Sequence, residues 1–240
     1  MKVNLLFTPE ELDYIGNLED KIAIVIDIIR TTTTITTAFK NGCSAIIPVL
    51  TLEDAFQRAN KIGKDKVLLA GAQKGERIEG FQLGNSPREY GEDIIKNKII
   101  IMKTTNGTKT LKRASSAKEV FISSFMNITA LIKKLQEYYR DTIIVCSGLG
   151  GLFSLEDTVC GGMIIEGLIK NIKNKIKLSD SALAATIIYN RFKDNIFKML
   201  EKSEWGNHLI KKGGYEDLKI CASIDKTNIT PRMKKERIII

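Results

Sequence analysis

The residues of this sequence best suited to chemistry begin with a charged segment behind an apolar run. In IVIDIIRTTTT, Asp27 follows an apolar run, and Arg30 is followed by Thr31, which has a hydroxyl side chain. A charge at the end of a buried strand is costly unless it is paired or used. Because the carboxyl ends of parallel strands open into the ligand crevice of α/β proteins, Asp27 is placed to bind a metal ion and Arg30 to hold an anion. The structural alternative is an Asp27–Arg30 pair beside a helix that Thr31 caps.

A second candidate segment is the glycine-rich stretch GAQKGERIEGFQLGNSPREY, residues 71–90. So long a loop inside a domain usually serves a site, and its carboxylate, amide and hydroxyl groups suit metal or phosphate contacts. We expect Glu79 to be its metal-binding carboxylate, and Asn85 and Ser86 to contact a ligand. Ser86 and Pro87 also have the types expected of a helix N-cap and a first helical residue. A merely flexible loop is the alternative.

The third segment, KTTNGTKTL at residues 103–111, follows another apolar run and precedes a helical pattern. Its hydroxyls and free backbone N–H groups would form a cradle for a phosphate or sulfonate at a strand–loop–helix junction. The ending of a Walker A loop is absent. An Asn-Gly hairpin turn is the alternative, which the flanking pattern disfavours. The expected ligand contacts are Thr105, Asn106, Gly107 and Thr108.

The fourth segment, CSGLGGLFSLEDTVCGG at residues 146–162, combines a strand end, a glycine-rich turn and the start of a long helix. Ser154 is the expected N-cap, with Asp157 at the third helical position. Carboxylates at a helix start are common for dipole reasons alone, but the glycines let the backbone approach a ligand closely. The expected site residues are Ser147, Gly148, Ser154, Glu156 and Asp157. A thiolate nucleophile at Cys146 or Cys160 is a weaker interpretation, because buried cysteines usually act as small apolar side chains.

Alternating short strands and helices must position these segments. Apolar, β-rich runs recur between helical patterns, which indicates a layered α/β/α fold with a largely parallel or mixed sheet and a helical C-terminal third. Several runs are continuously apolar, so we expect strands that are buried on both faces. The strands are expected at residues 3–7, 22–28, 45–49, 67–70, 99–102, 120–122, 143–146 and 237–240. The helices are expected at residues 52–62, 88–96, 108–115, 128–139, 155–173, 179–200 and 204–212.

The composition limits the classes of protein that remain. The chain has 240 residues, of which 43% are hydrophobic and 27% charged, and this composition is typical of a globular protein. We expect one domain over residues 1–240, and the length is also compatible with two lobes. The four cysteines and the single histidine lack zinc-ligand spacing, which disfavours a structural zinc site, a disulfide scaffold and a histidine-dependent triad. The net charge of +9 comes from scattered lysines, so no nucleic-acid partner is expected. No apolar stretch approaches the ~18 residues of a membrane span, so we expect a cytoplasmic protein without a membrane partner. A homodimer is a possible assembly, because α/β enzymes of this kind frequently form two-fold dimers.

Four segments in this order and spacing, VIDIIRTTTT, IEGFQLGNSP, TTNGT and CSGLGGLFSLEDTVCGG, resemble the 2-phosphosulfolactate phosphatase family. The resemblance covers nearly the whole chain, from LLFTPEEL to GYEDLKICASID. It implies an α/β fold of the family's own and Mg²⁺-dependent removal of phosphate from 2-phospho-3-sulfolactate, which yields 3-sulfolactate for coenzyme M synthesis. A small anionic phosphoester is therefore the expected partner, and Mg²⁺ is the expected cofactor.

The resemblance, carried over by position, also implies roles for the side chains. Asp27, Arg30 and Asp157 are the expected catalytic residues, and Thr31 joins the ligand contacts. The expected metal ligands are Asp27, Glu79, Glu156 and Asp157. Arg30, Asn106 and the loop amides would neutralise phosphoryl oxygens, and either metal-bound water or a carboxylate would attack phosphorus.

Some positions depart from the family's pattern. Ala72 and Gln73 stand where the pattern has an acid and an arginine, and the other departures are Gln82, Lys103 and Trp205. Lys103 would supply positive charge, but without the bidentate fork of arginine. The alternative function is therefore a non-catalytic or weakly active binder of anionic metabolites that retains the family fold.

Overall fold

The computed structural model describes residues 1–172 and 175–240, and it confirms the layered α/β class. Within that part of the chain, eleven strands join in one sheet that helices cover on both faces. The strands are β1 (Lys2–Leu6), β2 (Ile22–Ile26), β3 (Ala45–Pro48), β4 (Val67–Gln73), β5 (Glu76–Arg77), β6 (Ile99–Lys103), β7 (Glu119–Ser123), β8 (Thr142–Cys146), β9 (Lys177–Leu178), β10 (Arg232–Lys234) and β11 (Arg237–Ile239). The α-helices are α1 (Thr31–Lys40), α2 (Leu52–Ile62), α3 (Glu92–Ile95), α4 (Gly107–Arg113), α5 (Ile128–Tyr138), α6 (Leu155–Asn171), α7 (Asp180–Phe192), α8 (Ile196–Lys202), α9 (Glu204–Lys211) and α10 (Tyr215–Cys221).

The sheet contains two parallel sets of strands joined by an antiparallel hairpin. Its order is β5-β4-β6-β3-β11-β10-β7-β2-β8-β1-β9. Strands β4, β6 and β3 are mutually parallel, as are β7, β2, β8, β1 and β9. The hairpin of β10 and β11 pairs antiparallel with β7 on one side and β3 on the other. The predicted last strand therefore lies at the centre of a mixed sheet, where Ile238 is fully buried.

Strand β2 shows why the predicted burial on both faces is correct. All five of its residues are buried. Ile24 packs into the core under α5 and α6, whereas Val25 packs into the core on the other face with residues of α1 and α4. Alternate side chains of a strand point to opposite faces, so a strand covered on both faces must be apolar throughout. Asp27 follows directly after this strand and is buried with it.

The helices of the second half are more broken than the sequence predicts. The helix expected over residues 179–200 is two helices, α7 and α8, because the Asn195 side chain accepts a hydrogen bond from the N–H of Lys198 and begins a new helix. The helix expected over residues 155–173 is described to Asn171, and residue 173 lies outside the described residues. Residues 88–96 form a 3-10 turn (Pro87–Glu89) and the short α3, and α10 is an additional helix. No helix in the described ranges is long and apolar enough to cross a membrane.

The predicted loop over residues 71–90 begins as a β-hairpin. Strand β4 continues to Gln73 and pairs with β5 across a two-residue turn at Lys74 and Gly75, both of which have positive φ. Gly71 lies so close to β6 that a Cβ atom there would be 1.8 Å from the main-chain oxygen of Lys103. The missing side chain therefore allows β4 and β6 to stay paired to their ends.

Candidate active site

Asp27 lies at the junction between β2 and α1, and its carboxylate lies against the starts of two helices. The N–H of Thr31 donates to Oδ1 at 3.1 Å, and Gly107 at the start of α4 packs against Oδ2. Asp27, and not the predicted Thr31, thus satisfies the first free N–H group of α1. Burial raises the pKa of Asp27, and the hydrogen bonds from Thr31 and Gly107 and the charge of Arg30 offset part of this rise.

Three of the predicted loops converge around Asp27. Thr31 Oγ1 lies 3.3 Å from Thr104 Oγ1 and 3.4 Å from Asn85 Nδ2. These contacts close a small cavity of about 40 Å³, the inner pocket. Its lining residues are Asp27, Ile29, Arg30, Thr31, Ala72, Gly75, Asn85, Thr104, Thr105, Asn106 and Trp205. Among the predicted site residues it brings together Asp27, Arg30, Thr31, Asn85, Thr105 and Asn106.

The floor of the inner pocket is tightly packed, and one buried polar atom in it has no hydrogen-bond partner among the described residues. The Thr108 hydroxyl donates to the main-chain oxygen of Thr104 at 2.8 Å, so Thr108 holds its own loop and does not face a ligand. A Cβ atom on Gly107 would lie 2.7 Å from Asp27 Oδ2, so α4 packs directly on the carboxylate. Oδ1 of Asn85 is buried and, among the described residues, accepts no hydrogen bond. An unpaired buried acceptor is costly, so Oδ1 of Asn85 is available to a ligand donor, a cation or water.

Arg30 forms a wall of the inner pocket and is held in place by other groups. Its Nη1 lies 2.6 Å from Oδ2 of Asp217, and its Nη2 donates to the main-chain oxygen of Gly75 at 3.1 Å. The Ser86 hydroxyl donates to the other oxygen of Asp217 at 2.6 Å. The structural alternative of an Asp27–Arg30 pair is therefore wrong, because Arg30 pairs with Asp217. Ser86 precedes the 3-10 turn as predicted, but its hydroxyl bonds to Asp217 and does not cap the turn.

A larger cavity of about 350 Å³, the outer chamber, adjoins the inner pocket. Arg30, Gly75 and Trp205 line both cavities. The remaining lining residues of the outer chamber are Lys74, Glu76, Ser86, Arg88, His208, Leu209, Lys212, Gly213, Gly214 and Asp217. The single histidine stacks on Trp205 with ring centroids 4.6 Å apart. Trp205, one of the departures from the family pattern, is thus part of the wall of the candidate site.

Asp157 lies behind the inner pocket and ties two loops together. Its Oδ1 accepts from the N–H of Ile28 at 2.8 Å, and its Oδ2 accepts from the N–H of Gly148 at 3.2 Å. Its own N–H donates to the hydroxyl of Ser154, which is the N-cap of α6 as predicted. Burial, followed by the charges of Asp27 and Glu156, raises the pKa of Asp157 well above its ordinary value. Because both oxygens bind backbone, Asp157 positions the loops beside Asp27 and does not line the pocket.

The four-acid metal site expected from the sequence is not assembled. Glu156 is buried near the hydroxyls of Ser203 and Ser154, and burial raises its pKa. Glu79 is exposed and adjoins Gly80, which faces Phe56 of α2. Across residues 1–172 and 175–240, no three Asp, Glu, His or Cys side chains form a group that could hold a metal ion. The structure does not bring the expected set together, because Asp157 accepts from backbone N–H groups, Glu156 lies behind the pocket and Glu79 lies outside it.

The glycine-rich turn after β8 also lies behind Asp27 and lines neither cavity. Ser147 is buried, and in the described part of the chain its hydroxyl has no hydrogen-bond partner. Gly148 contributes its N–H to Asp157, and Ser154 serves as a helix cap. Cys146 and Cys160 are fully buried, and burial raises the pKa of both thiols well above the ordinary value. These cysteines are therefore core side chains and not thiolate nucleophiles.

Asp217 is a residue of the site that the sequence did not predict, as are Lys74 and Arg88 of the outer chamber. It lies in α10, a helix absent from the prediction, and it is buried although its neighbour Glu216 is exposed. The available signal was its spacing of four residues from Cys221, which places both on one face of a helix. A buried carboxylate on such a face requires a cationic partner, and Arg30 fills that role.

A carboxylate at a strand end, a fixed arginine and hydroxyl-rich loops surround a small pocket in an α/β fold, an arrangement suited to an oxyanion-bearing small molecule. The family model described as 2-phosphosulpholactate phosphatase matches residues 6–236. The chain therefore belongs to the 2-phosphosulpholactate phosphatase family, and this membership assigns it to the phosphoric monoester hydrolases.

Individual relatives are similar to this chain over most of its length. A protein of Clostridium botulinum (strain Alaska E43 / Type E3) is 38% identical over 241 residues, which cover 100% of this chain and 99% of the relative. A protein of Clostridium acetobutylicum is 36% identical over 239 residues, which cover 100% of each chain. A protein of Caldanaerobacter subterraneus subsp. tengcongensis is 38% identical over 221 residues, which cover 91% of this chain and 90% of the relative. Each of the three has the name "Probable 2-phosphosulfolactate phosphatase".

Proposed function

We propose that this chain hydrolyses a small, multiply anionic phosphomonoester at the inner pocket, with 2-phospho-3-sulfolactate as the substrate and Mg²⁺ as the cofactor. The observation that carries the proposal is the convergence of Asp27, Arg30 and the hydroxyl-bearing loops on one small pocket. The family and the names of the relatives support the phosphoester class. A substrate with phosphate, carboxylate and sulfonate groups requires several cationic or N–H donors, which suits a pocket that opens past Arg30 into a basic chamber.

The residues of the inner pocket fit Mg²⁺. Its carboxylate is Asp27, the open acceptor is Oδ1 of Asn85, and the hydroxyls of Thr31 and Thr104 lie between them. Mg²⁺ prefers oxygen ligands and is usually held by one or two carboxylates together with water and substrate phosphate, so a cage of three acids is not required. Glu156 and Asp157 are buried behind Asp27, and a cation in front of Asp27 would favour the ionised form of these carboxyls over the protonated form that burial favours. When bound, Mg²⁺ supplies positive charge to phosphoryl oxygens during hydrolysis.

The chain's own groups account for the binding and orientation of the phosphoryl group. Arg30 has five N–H donors. Nη1 donates to Asp217 and Nη2 to the main-chain oxygen of Gly75, and the remaining N–H groups are available to a phosphoryl oxygen. The hydroxyls of Thr104 and Thr105 are further donors. Asp27 is the carboxylate that lines the inner pocket, so it either orients the attacking water or attacks phosphorus itself.

The proposal is tested by phosphate release from 2-phospho-3-sulfolactate, measured with added Mg²⁺ and with EDTA. Glycerol 2-phosphate serves as a matched ester whose hydroxyl groups replace the anionic groups. We expect metal-dependent release that is faster with the sulfolactate ester. Folded protein that releases no phosphate from either ester in Mg²⁺ would exclude the proposed reaction.

A second candidate function is binding of anionic metabolites without efficient hydrolysis. The observation that favours it is Ala72, which places a methyl group in the wall of the inner pocket where the family pattern has an acid. Tight binding of 3-sulfolactate combined with negligible turnover of its phosphate ester would support this function. Introduction of Ala72→Glu together with Gln73→Arg would then create turnover, whereas robust turnover by the unmodified chain would exclude the binder.

A further inference from the structure

We propose that the outer chamber is a specificity subsite for a second anionic group of the substrate, a sulfonate or carboxylate at the far end from the phosphoester, and that Lys74 and Arg88 bind that group. The inference rests on the proposed function, because it assumes that the phosphoryl group occupies the inner pocket. It adds the location of the distal anion and the residues that select it.

The sizes of the two cavities support this division of the substrate. A cavity needs roughly 10–15 Å³ to hold one water molecule, so the inner pocket, at about 40 Å³, has room for a phosphoryl group and little more. The outer chamber, at about 350 Å³, falls within the range of small-molecule sites. Since Arg30, Gly75 and Trp205 line both spaces, a ligand held by its phosphoryl group extends past Arg30 into the chamber.

The charges of the outer chamber determine what it can accept. The charged lining consists of four cations and two anions: Arg30, Lys74, Arg88, Lys212, Glu76 and Asp217. Arg30 pairs with Asp217 at 2.6 Å, and Lys212 pairs with Glu76 at 3.2 Å. Two positive charges are left, and within the described ranges neither Lys74 nor Arg88 has a carboxylate at ion-pair distance. The chamber therefore attracts an anion and has no unpaired anion of its own to oppose it.

Both cations lie on short turns. Lys74 has a φ of 52° and Gly75 a φ of 84° in the tight turn between β4 and β5. Arg88 lies in the 3-10 turn Pro87–Glu89, directly after Ser86, whose hydroxyl is bound to Asp217. A guanidinium matches the paired oxygens of a carboxylate or sulfonate, and the ammonium adds a point charge from a second loop. The two loops thus bring a guanidinium and an ammonium to the same chamber.

Direct binding of three compounds without phosphate tests the subsite independently of turnover. 3-Sulfolactate, malate and glycerate share the carboxylate and hydroxyl, and they present a sulfonate, a carboxylate and a neutral hydroxyl at the far carbon. Titration calorimetry on the full chain should show at least about tenfold tighter binding of 3-sulfolactate than of glycerate, as expected for an anion that meets two cations. Lys74→Ala/Arg88→Ala should remove this discrimination. Lys133→Ala/Arg140→Ala, which changes the charge equally at exposed positions of α5 and the turn after it, should retain it.

The outcomes separate the subsite from the reaction. Loss of discrimination for both sulfolactate and malate supports a general anion subsite, and loss for sulfolactate alone supports a sulfonate subsite. Discrimination that persists in Lys74→Ala/Arg88→Ala, or that is absent from the unmodified chain, overturns the inference. If the unmodified chain discriminates through these residues but releases no phosphate from any ester, the proposed reaction fails and the subsite stands.

Discussion

Arg30 and Asp217, which are 187 positions apart, form an ion pair in which Nη1 and Oδ2 are separated by 2.6 Å. Both side chains are almost fully removed from solvent, with exposures of 11% and 4%. Asp217 also accepts the hydroxyl of Ser86, so one carboxylate joins the segment after β2, the segment before α3 and helix α10. The C-terminal helices therefore determine the orientation of the guanidinium that faces the inner pocket.

We predict that Asp217→Ala lowers kcat/KM by about 10²-fold, because a displaced guanidinium no longer meets the phosphoryl group. The free energy of unfolding should fall by roughly 3–5 kcal/mol, because Arg30 remains buried without its partner. Urea denaturation and steady-state kinetics measure the two effects. Glu216→Ala is the matched control on the same helix, since Glu216 pairs with Lys219 at the surface and should cost less than about 1 kcal/mol. Equal effects of the two substitutions would contradict a positioning role for Asp217.

We predict that Asp27→Asn reduces turnover by about 10²–10⁴-fold and abolishes its dependence on Mg²⁺, because the carboxylate of the inner pocket is lost. Glu79→Gln should change turnover less than about twofold, since Glu79 is exposed and outside both cavities. The measurement is phosphate release across a Mg²⁺ titration, with near-UV circular dichroism as the check on folding. A large loss of turnover in Glu79→Gln would instead support Glu79 as a metal ligand, as the sequence predicts.

The sequence predicts the sheet and the convergence of its loops, but not the way the carboxylates are used. Strands β2 and β8 are continuous apolar runs, and burial on both faces follows directly from that pattern. The polar residues after β2 and β6 meet in the inner pocket as expected. Strand direction alone does not explain the contact, because three antiparallel pairings lie between β3 and β7 and β6 therefore runs opposite to β2. In contrast, the ion pair of Arg30 and Asp217 joins distant segments, and no local pattern encodes which helix reaches the site.

The hairpin of β10 and β11 and the carboxylate of Asp157 show two further limits. A short apolar C-terminal run predicts a strand, but its place between β3 and β7 depends on pairing that local periodicity does not contain. The helix-start position of Asp157 is equally compatible with ligand binding and with bonds to Ile28 and Gly148. Only the backbone of the adjacent loops decides between these roles.

We predict that the metal-free protein loses stability as the pH rises above the ordinary carboxyl values of 3.8 and 4.5 toward the raised pKa values of the folded state. Burial raises the pKa of Asp27, Glu156 and Asp157, so in this window the native state binds more protons than the unfolded chain. The free energy of unfolding, measured by urea titration in EDTA, should therefore fall as the pH rises above these ordinary values of 3.8 and 4.5. Carboxyls with lowered pKa values, such as Glu10 and Glu236, give the opposite slope only below their ordinary value of 4.5.

Glu156→Gln is the variant that checks this account of the pH dependence. It removes one charge from the buried cluster and keeps an oxygen for Ser203 and Ser154. The decline of stability with pH should become shallower, and the added stabilisation by Mg²⁺ should shrink, because less repulsion remains for a cation to relieve. An unchanged slope would mean that the three carboxylates do not interact as their burial implies.

The last prediction concerns Gly107, whose missing side chain brings α4 against the carboxylate of Asp27. An added Cβ atom would lie 2.7 Å from Asp27 Oδ2 and 2.7 Å from Cβ of Thr31, so Gly107→Ala must displace one or both. We expect kcat/KM to fall by about 10–100-fold, because small shifts of a positioned group have large effects on rate, whereas overpacking should cost only about 1–3 kcal/mol of stability. Kinetics and urea denaturation on the same preparation measure the two quantities. Gly16→Ala is a control outside both cavities in which nothing lies within 4 Å of the added atom. The φ of 74° at Gly16 strains the backbone of an alanine, so this variant should lose stability while kcat/KM stays within about twofold. If Gly107→Ala retained full kcat/KM, contact between α4 and Asp27 would have no part in positioning the carboxylate.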